Sequence, residues 1–529
     1  MFRVSSVFDV RPFRRETWTG WHVTRIAATD RQEVFLRSAM AMLVSVFVSV
    51  FAALVSSCAS APKPQHPSLE TPVPLQWTAA PSESGAIGER WWSDFSDSRL
   101  DGLIDEALSR NFELKSVTGR MQAARAQARI VGAPLLPQVS LDFNRNRTRR
   151  NFIGFPIPGG NGGVLKTTST TYGVSTNINW EIDLWGRLSD DKAAALADVQ
   201  GSQADLYGVR SSVAGQTAKA WFAAIEARRQ LDLARATRDN FTVVNERIEN
   251  RYARGLRPAL DLRLSLANVA AAEAVVLQRM QAYDGVVRQL EILLGRYPSA
   301  ELSIASDLPP VPSTVPAGLP ADLIARRPDL MLAERQLAAA GARVGVAKKA
   351  RYPAIRLTGS GGTSTAALTD LLDGDFIVWS LVSSLLQPLF QGGRLSAGVD
   401  LAEANRDQVL ANFADRALRA YGEVETALAA DGLLRRRETA LLEATTQAAA
   451  ARELAESRYH GGLSDVITML DAQRRAFDSE GQYLAVRRQR LDARVDLYLA
   501  LGGGFEGIAP ETGEPGDLRP KGELGDVQE

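Results

Sequence analysis

Side chains that can attack a substrate or hold a metal ion are scarce in this sequence. Its 529 residues include three histidines and one cysteine, and two of the histidines, His66 and His460, lie far apart along the chain. Nucleophilic catalysis and tight metal sites need histidine, cysteine or clustered carboxylates brought together, and no phosphate-binding loop motif is present. We therefore predict that the protein is not an enzyme, uses no cofactor or metal, and takes any energy it needs from a partner.

The single cysteine has a chemical role of its own, because it follows an apolar segment. Residues Ala39 to Val55 are mostly apolar, with Arg37 before them and two serines between them and Cys58. A basic flank, an apolar stretch and small residues before a cleavage point are typical of an export signal. Small residues followed by cysteine resemble a bacterial lipobox. That resemblance implies removal of residues 1–57 and lipidation of Cys58 as the first residue of the mature chain.

The residues on either side of this segment bear on location and on the start of the chain. Ala59, rather than an aspartate, follows the cysteine, which by the same resemblance favours sorting to the outer membrane. The residues before Arg37 include four acidic ones and fit no signal, so we expect translation to start later than Met1. The alternative is an ordinary export signal with a chance cysteine just after the cut.

Overall charge gives no support for a nucleic-acid-binding protein, and hydropathy gives none for a mature chain with membrane-spanning helices. The 61 basic and 61 acidic residues balance, so composition gives no argument for binding nucleic acid. After residue 57, no apolar run reaches the roughly 18 to 20 residues that a membrane helix needs. Any crossing of a membrane by the mature chain is therefore expected to use strands.

Proline and glycine divide the chain into segments that repeat. Arg326–Leu330 corresponds to Arg110–Leu114, and Gly393-Arg394-Leu395 corresponds to Gly186-Arg187-Leu188, which indicates an internal two-fold repeat. We predict a lipidated, proline-rich tether over 58–90, a first repeat over 91–296, a linker over 297–318, a second repeat over 319–504 and a disordered tail over 505–529.

Each repeat contains a stretch of alternating apolar and polar residues, followed by a longer stretch with helical spacing. The alternation predicts β-hairpins over about 138–184 and about 353–390. The proline-free stretches after them predict long helix hairpins over 187–295 and 394–501, with apolar seams spaced as in antiparallel coiled coils. A helix from Arg187 to Arg254 would be about 100 Å long.

The change of period falls at Gly186 in the first repeat and at Gly393 in the second. We predict that these glycines form the junctions where a strand passes into a helix, because glycine lets the backbone turn between the two geometries. Continued alternation up to the first glycine places Glu181 and Asp183 on the wet face and Leu184 on the apolar face.

Four strands with an apolar face cannot complete a membrane-spanning structure alone. Open sheet edges would leave backbone groups unsatisfied in hydrocarbon, and small barrels need about eight strands. We therefore predict an α+β membrane protein in which several copies pool their hairpins into one barrel that continues into a helical tube. The alternatives are a soluble edge hairpin for the strands and a plain antiparallel coiled coil for the helices.

Seven short motifs, taken in order, carry a family resemblance over residues 91–504. They are Trp91-Trp92 with Phe95, Arg326-Arg327-Pro328-Asp329-Leu330, Tyr352-Pro353, Gly392-Gly393-Arg394-Leu395, Arg458-Tyr459, Leu470-Asp471-Ala472-Gln473-Arg474 and Leu499-Ala500-Leu501-Gly502-Gly503-Gly504. Together they resemble the outer membrane factor family of TolC-like proteins, and especially its NodT-type lipoprotein branch serving resistance-nodulation-division pumps. The resemblance implies a homotrimer with a twelve-stranded barrel in the outer membrane and a twelve-helix periplasmic tunnel.

The resemblance also implies partners at the periplasmic end of the tunnel, where a membrane fusion adaptor joins the channel to an inner membrane pump. The family's contact tips correspond to the two Arg-Tyr-x-x-Gly-Leu turns of this chain. The adaptor-contact candidates are therefore Arg251, Tyr252, Gly255, Leu256, Arg458, Tyr459, Gly462 and Leu463. Glycine at these positions also fits an ordinary helix stop.

In family members the tunnel closes near these tips through ion pairs and hydrogen bonds between neighbouring helices. The resemblance therefore makes Glu246, Glu249, Glu453 and Glu456 candidates for the periplasmic gate, together with Arg251, Arg458 and Tyr459. Each of them could equally be a solvated charge on a helix surface.

The function that the resemblance implies is an outer membrane exit duct of a tripartite efflux system, which passively conducts small molecules, such as drugs or toxic compounds, out of the periplasm. One alternative is the duct of a protein or peptide secretion system, which a lipid anchor makes less favourable. Another is a periplasmic coiled-coil scaffold that conducts nothing. The transported compound cannot be read from the sequence.

Overall fold

The computed structural model describes residues 61–63, 72–79, 87–152, 165–312, 315, 317–318, 320 and 323–504. Several predictions lie outside the described residues: the export signal, the lipidated Cys58, most of the tether, the tip of the first hairpin, and the tail over 505–529.

Four long helices dominate the described part of the chain. They are α3 (Arg187–Ala253) with α4 (Ala259–Leu293), and α7 (Arg394–His460) with α8 (Val466–Ala500). The two longer helices have 67 residues each and the two shorter ones 35 residues each, so the halves of the chain match in element length. In the described residues, no helix is both long and apolar enough to cross a bilayer.

Four shorter helices precede the strands. In the first half they are α1 (Ser98–Arg110) and α2 (Phe112–Gly132), and in the second half α5 (Leu323–Arg326) and α6 (Pro328–Lys349). Asp97 and Asn111 accept hydrogen bonds from the first free backbone amides of α1 and α2, which is how such residues set the start of a helix.

The strands form one four-stranded antiparallel sheet in the order β1-β2-β3-β4. Their bounds are β1 Gln138–Phe152, β2 Leu165–Ile182, β3 Ala354–Thr365 and β4 Ile377–Leu386. The predicted hairpins are present, and the mostly helical chain with one antiparallel sheet confirms the α+β class. The register pairs Phe143 with Val174 and Val174 with Thr363.

This register sorts the side chains of the sheet onto two faces. One face carries Val139, Leu141 and Phe143 of β1 beside Ile178 and Val174 of β2. The other face carries Ser140, Asp142 and Asn144 beside Asn177 and Ser175. The apolar residues of β1 are exposed in the single chain, and β1 and β4 are the free edges of its sheet.

The main core lies where the amino-terminal segment packs against the middle of α3 and the end of α8. Trp91 stacks on Tyr498 with ring centres 5.1 Å apart. Two carboxylates of the same segment accept hydrogen bonds from core side chains: Asp94 from the Tyr498 hydroxyl at 2.6 Å, and Asp97 from the Trp221 indole at 2.8 Å. The Trp-Trp-x-Asp-Phe-x-Asp motif thus holds the amino-terminal segment against α3 and α8.

Candidate functional site

The two helix hairpins turn in the same way at their tips. In the first, the amide of Leu256 donates to the Arg251 carbonyl at 2.9 Å, and Gly255 has φ of 71°. In the second, the amide of Leu463 donates to the Arg458 carbonyl at 2.8 Å. Gly462 there has φ of 74°, the left-handed conformation that ends many helices and favours glycine.

The tips nevertheless differ in how their tyrosines are placed. Tyr459 is only 1% exposed and belongs to a cluster with Val244, Ile248 and Met469. Tyr252, the corresponding residue of the other tip, is 43% exposed. In the single chain the ring of Tyr252 is therefore open to solvent and that of Tyr459 is not, so the two tyrosines of the motif differ as candidates for a direct adaptor contact.

Two arginines lie against the buried ring of Tyr459. The guanidinium carbons of Arg251 and Arg257 lie 5.6 and 4.8 Å from its centre, within the range of cation–π attraction. Next to it, a guanidinium nitrogen of Arg247 lies 3.0 Å from Nε2 of His460. These contacts join the end of α3 and the turn before α4 to the end of α7, so the two tips form one unit.

The remaining tip candidates lie on the surface. Leu256 and Leu463 are 67% and 74% exposed, and Arg458, Gly255 and Gly462 are also exposed. Exposed leucines next to a helix stop leave an apolar patch at the end of each hairpin. The sequence motif predicts this surface, whereas it does not predict the roles of Arg247, Arg257 and His460.

The four gate candidates fall into two groups. Glu246, Glu249 and Glu453 are exposed and form no ion pair or hydrogen bond with another described residue. Glu456 instead accepts a hydrogen bond from the Gln473 amide at 2.7 Å. Glu456 thus links α7 to α8 within one chain, and the first three carboxylates stay available to a neighbouring chain.

Gln473 is a residue of this site that motif reasoning named without assigning a role. Its side chain is fully buried, and its amide donates both to Glu456 of α7 and to Asn240 of α3, the latter at 2.9 Å. Because Gln473 itself belongs to α8, it joins three helices just above the tips. A fully buried glutamine in such a bridge fixes the relative rotation of those helices.

At the first junction, side chains at the end of β2 bind the first residues of α3. Gly186, with φ of 75°, precedes α3, and the Asp183 carboxylate accepts hydrogen bonds from the Leu188 and Ser189 amides at 3.0 and 2.7 Å. Glu181 pairs with Arg187 at 2.6 Å.

This geometry shows that the strand ends earlier at the first junction than the alternation predicts. Strand β2 ends at Ile182, so Asp183 and Leu184 belong to a turn rather than to alternating strand positions. Asp183 caps the helix, because free amides at a helix start attract a carboxylate.

The second junction also has a glycine at positive φ before its helix, but it has few partners. Gly393, with φ of 81°, precedes α7, and Arg394 donates to the Gln391 side chain at 3.0 Å. Leu389 and Phe390 in front of it are almost fully exposed. Exposed apolar residues next to a free sheet edge indicate a surface that another chain or lipid covers.

No chemical centre appears beside these features. In the part of the chain that the structure describes, no three His, Cys, Asp or Glu side chains lie close enough together to hold a metal ion.

Comparisons with known proteins agree on one family. The family model described as outer membrane efflux protein matches residues 103–296 and 319–503. Outer membrane protein OprJ of Pseudomonas aeruginosa is 34% identical over 467 residues, covering 86% of this chain and 95% of that protein. The pyoverdine export outer membrane protein OpmQ of Pseudomonas putida is 31% identical over 458 residues, covering 85% and 96%.

A solved structure shows the same architecture. The open state of the MtrE outer membrane channel of Neisseria gonorrhoeae matches with a TM-score of 0.73 at 28% identity. The match covers 85% of this chain and 99% of that one.

Proposed function

Because the chain belongs to the outer membrane efflux protein family, we propose that it forms, as a homotrimer, the exit duct of a tripartite efflux system. It is an outer membrane efflux protein, as its motifs predict. The trimer, the anchor, the partners and the site residues are the proposed part. The observation that carries the proposal is the open four-stranded sheet, apolar on one face and polar on the other, that continues into long helices.

The free edges of the sheet support assembly from several copies. Backbone groups at β1 and β4 would be unsatisfied in a bilayer unless another strand paired with them. Three copies supply twelve strands, a number within the range of known outer membrane barrels. Edge-to-edge closure turns the face with Ser140 and Asn177 toward a wet lumen and the face with Leu141 and Ile178 toward lipid.

The long helices support a duct that crosses the periplasm. A helix of 67 residues is about 100 Å long. In each chain, both long helices and their shorter partners extend from the same end of the sheet. Many leucines along them, such as Leu401, Leu418 and Leu442, are exposed in the single chain. Helices of neighbouring copies would cover such positions and close the tunnel wall.

The tips are the surface that suits a membrane fusion adaptor. We assign direct contact to Arg251, Tyr252, Gly255, Leu256, Arg458, Gly462 and Leu463. Tyr459 acts as a positioning residue, because its buried ring holds Arg251 and Arg257 in place. Through the adaptor the duct would receive its cargo from an inner membrane pump.

The gate is assigned to carboxylates that have no partner among the described residues of the chain. Glu246, Glu249 and Glu453 would pair with basic residues of the neighbouring copy and close the tunnel above the tips. Glu456 is engaged with Gln473 and would shape the gate indirectly.

Cys58 is the proposed attachment point of a lipid that holds the amino terminus at the outer membrane. The cargo is proposed to be a small molecule, since OpmQ is named for pyoverdine export and conduction needs only a wet wall. The chain itself would catalyse nothing.

Planar-bilayer recordings on the purified mature protein test this proposal. We expect ion conductance and a trimer that dissociates on heating in detergent. Cys58→Ala should lose the lipid yet keep the trimer and its conductance. A soluble, non-conducting monomer from this variant would refute the duct.

A further inference from the structure

Three arginines form a row on the apolar face of β1, beyond its apolar residues. Because side chains alternate along a strand, Arg145, Arg147 and Arg149 share a face with Leu141 and Phe143. All three arginines are exposed. A row of cations that continues an apolar stripe on one face marks the edge of a lipid-facing surface.

The register places this row at the end of the sheet that lies farthest from the helices. The neighbouring β2 residues on the same face are Tyr172 and Thr170, opposite Arg145 and Arg147, and the Arg145 guanidinium lies 5.7 Å from the Tyr172 ring centre. With about 3.4 Å per residue and a strand tilt of about 40°, Arg149 lies on the order of 15 Å beyond Phe143. That distance is larger than the roughly 5 to 8 Å that one headgroup layer occupies, so a row that begins at the hydrocarbon edge reaches across the layer.

No carboxylate neutralises the row from its own hairpin. The sequence contains no Asp or Glu between Asp142 and Glu181, and in the described residues none of the three arginines is in an ion pair. Acidic residues at the same end of the sheet lie in the β3–β4 turn, which carries Asp370, Asp373 and Asp375. A neighbouring copy that paired along the edge of β1 would leave the face of the strand uncovered.

We propose that Arg145, Arg147 and Arg149 bind the phosphate-bearing headgroups of lipids in the outer leaflet, the one farthest from the periplasm. The inference rests on the proposed function, because only a barrel in the outer membrane places this face against that leaflet. The arginines hold phosphate oxygens through charge-assisted hydrogen bonds, and their long side chains reach back toward the apolar edge. The row thereby sets the height of the barrel in the membrane.

Lipid binding by the full mature protein in detergent tests the inference. The probes are lipid A, a glycolipid with two phosphates, its dephosphorylated form, and inorganic phosphate, with the retained lipid counted by native mass spectrometry. Each cation near an anionic surface strengthens binding about fivefold. Arg149→Gln should therefore weaken lipid A binding about fivefold. Replacing all three arginines by glutamine should weaken it on the order of 100-fold.

Arg150→Gln is the matched control, since Arg150 is adjacent in sequence and lies on the opposite face of β1. It should leave lipid A binding unchanged. Dephosphorylated lipid should bind weakly to the wild type, and millimolar inorganic phosphate should not displace lipid A.

Three results would overturn the inference: unchanged lipid binding by the triple variant, equal losses in Arg149→Gln and Arg150→Gln, or equal binding of both lipid forms. Unchanged lipid binding with a less heat-resistant trimer would assign the row to ion pairs with Asp373 and Asp375 of a neighbouring copy. Conductance measurements separate a failure of the lipid-binding inference from a failure of the proposed duct function. A conducting triple variant with normal lipid retention removes only this inference, whereas a wild type that neither trimerises nor conducts removes the proposed function and this inference with it.

Discussion

At the residue scale, Gly462 holds the second tip in a conformation that other residues adopt only with strain. Its φ is 74°, and an added Cβ would meet no atom within 4 Å. The effect of a substitution is therefore backbone strain of about 1–2 kcal/mol rather than a collision. We expect Gly462→Val to distort the tip, keep the trimer intact and abolish efflux in a drug-susceptibility assay.

Gly461→Ala is the control for this prediction. Gly461 has an ordinary helical φ of −76°, and a Cβ there would make contacts no closer than 3.5 Å. This variant should keep normal efflux. Wild-type drug resistance in Gly462→Val would remove the adaptor contact from this turn.

Asp492, on α8, gives the folded chain a pH-dependent stability. Burial raises the pKa of its carboxyl to about 6, although Arg488 contacts it at 2.6 Å. A raised pKa means that the folded chain binds this proton more tightly than the unfolded chain. Ionisation of Asp492 therefore lowers the free energy of unfolding as the pH rises from about 4 to above 6.

Asp492→Asn removes this dependence. At pH 8 we expect the variant to be more stable than the wild type by about 2–3 kcal/mol, and at pH 4.5 the gap should be much smaller, as thermal denaturation in detergent would record. Asp496→Asn is the control, because its side chain is 53% exposed and it pairs with Lys219, so it should shift stability by less than about 1 kcal/mol at either pH. A gap for Asp492→Asn that is equal at both pH values would disprove this origin.

Single residues were predictable from sequence where a motif has one structural meaning. The glycines of both tips and both junctions lie at positive φ, as a helix stop or a strand-to-helix turn requires. The two tyrosines of the tips were not separable, since both stand in the same motif. Their different burial follows from long-range packing of Tyr459 against α3 and α8.

At the element scale, the segment 72–79 is a short strap that fastens the amino-terminal tether to the folded part. Trp77 is buried, and its indole donates to the Gly318 carbonyl at 3.1 Å. The amides of Thr78 and Ala79 donate to the Glu425 carboxylate of α7, each at 2.8 Å. The strap thus joins the tether to α7.

We predict that Trp77→Ala releases this strap. Loss of a buried tryptophan costs about 3 kcal/mol or more, so the amides of Thr78 and Ala79 should exchange with solvent at least about tenfold faster. Leu75→Ala, at an exposed position of the same strap, should leave their exchange unchanged. Hydrogen-exchange mass spectrometry makes the comparison, and equal exchange in Trp77→Ala and the wild type would show that the indole does not hold the strap.

Elements were predictable where one physical rule acts over many residues. The absence of proline and the helical spacing after Gly186 predict α3 to within one residue of its observed end at Ala253. The end of β2 was missed by two residues, because alternation continues through Asp183 and Leu184. There the first amides of α3 donate to the Asp183 carboxylate and end the strand. The alternation of apolar and polar residues gives no information about this interaction between two elements.

At the scale of the whole molecule, the family and its outer membrane efflux role are established, and the trimeric duct is the proposal. Motif order predicted the family correctly. A single chain does not show how a barrel would close, that is, which strand edges of neighbouring copies meet and how far their strands are offset. The free strands β1 and β4 define the surfaces that must meet.

The most direct test of the duct is a disulfide between these two edges of neighbouring copies. Cys58 is the sole cysteine, so Ser140→Cys on β1 combined with Ser380→Cys, Val382→Cys or Ser384→Cys on β4 introduces the only free thiols of the lipidated chain. These positions share the polar face, and Cα atoms within about 7 Å can be bridged. For at least one pair, non-reducing electrophoresis of native membranes should show a ladder that ends at three chains and collapses to one on reduction. Only single chains for every pair, or a ladder that runs beyond three, would contradict a closed trimeric duct.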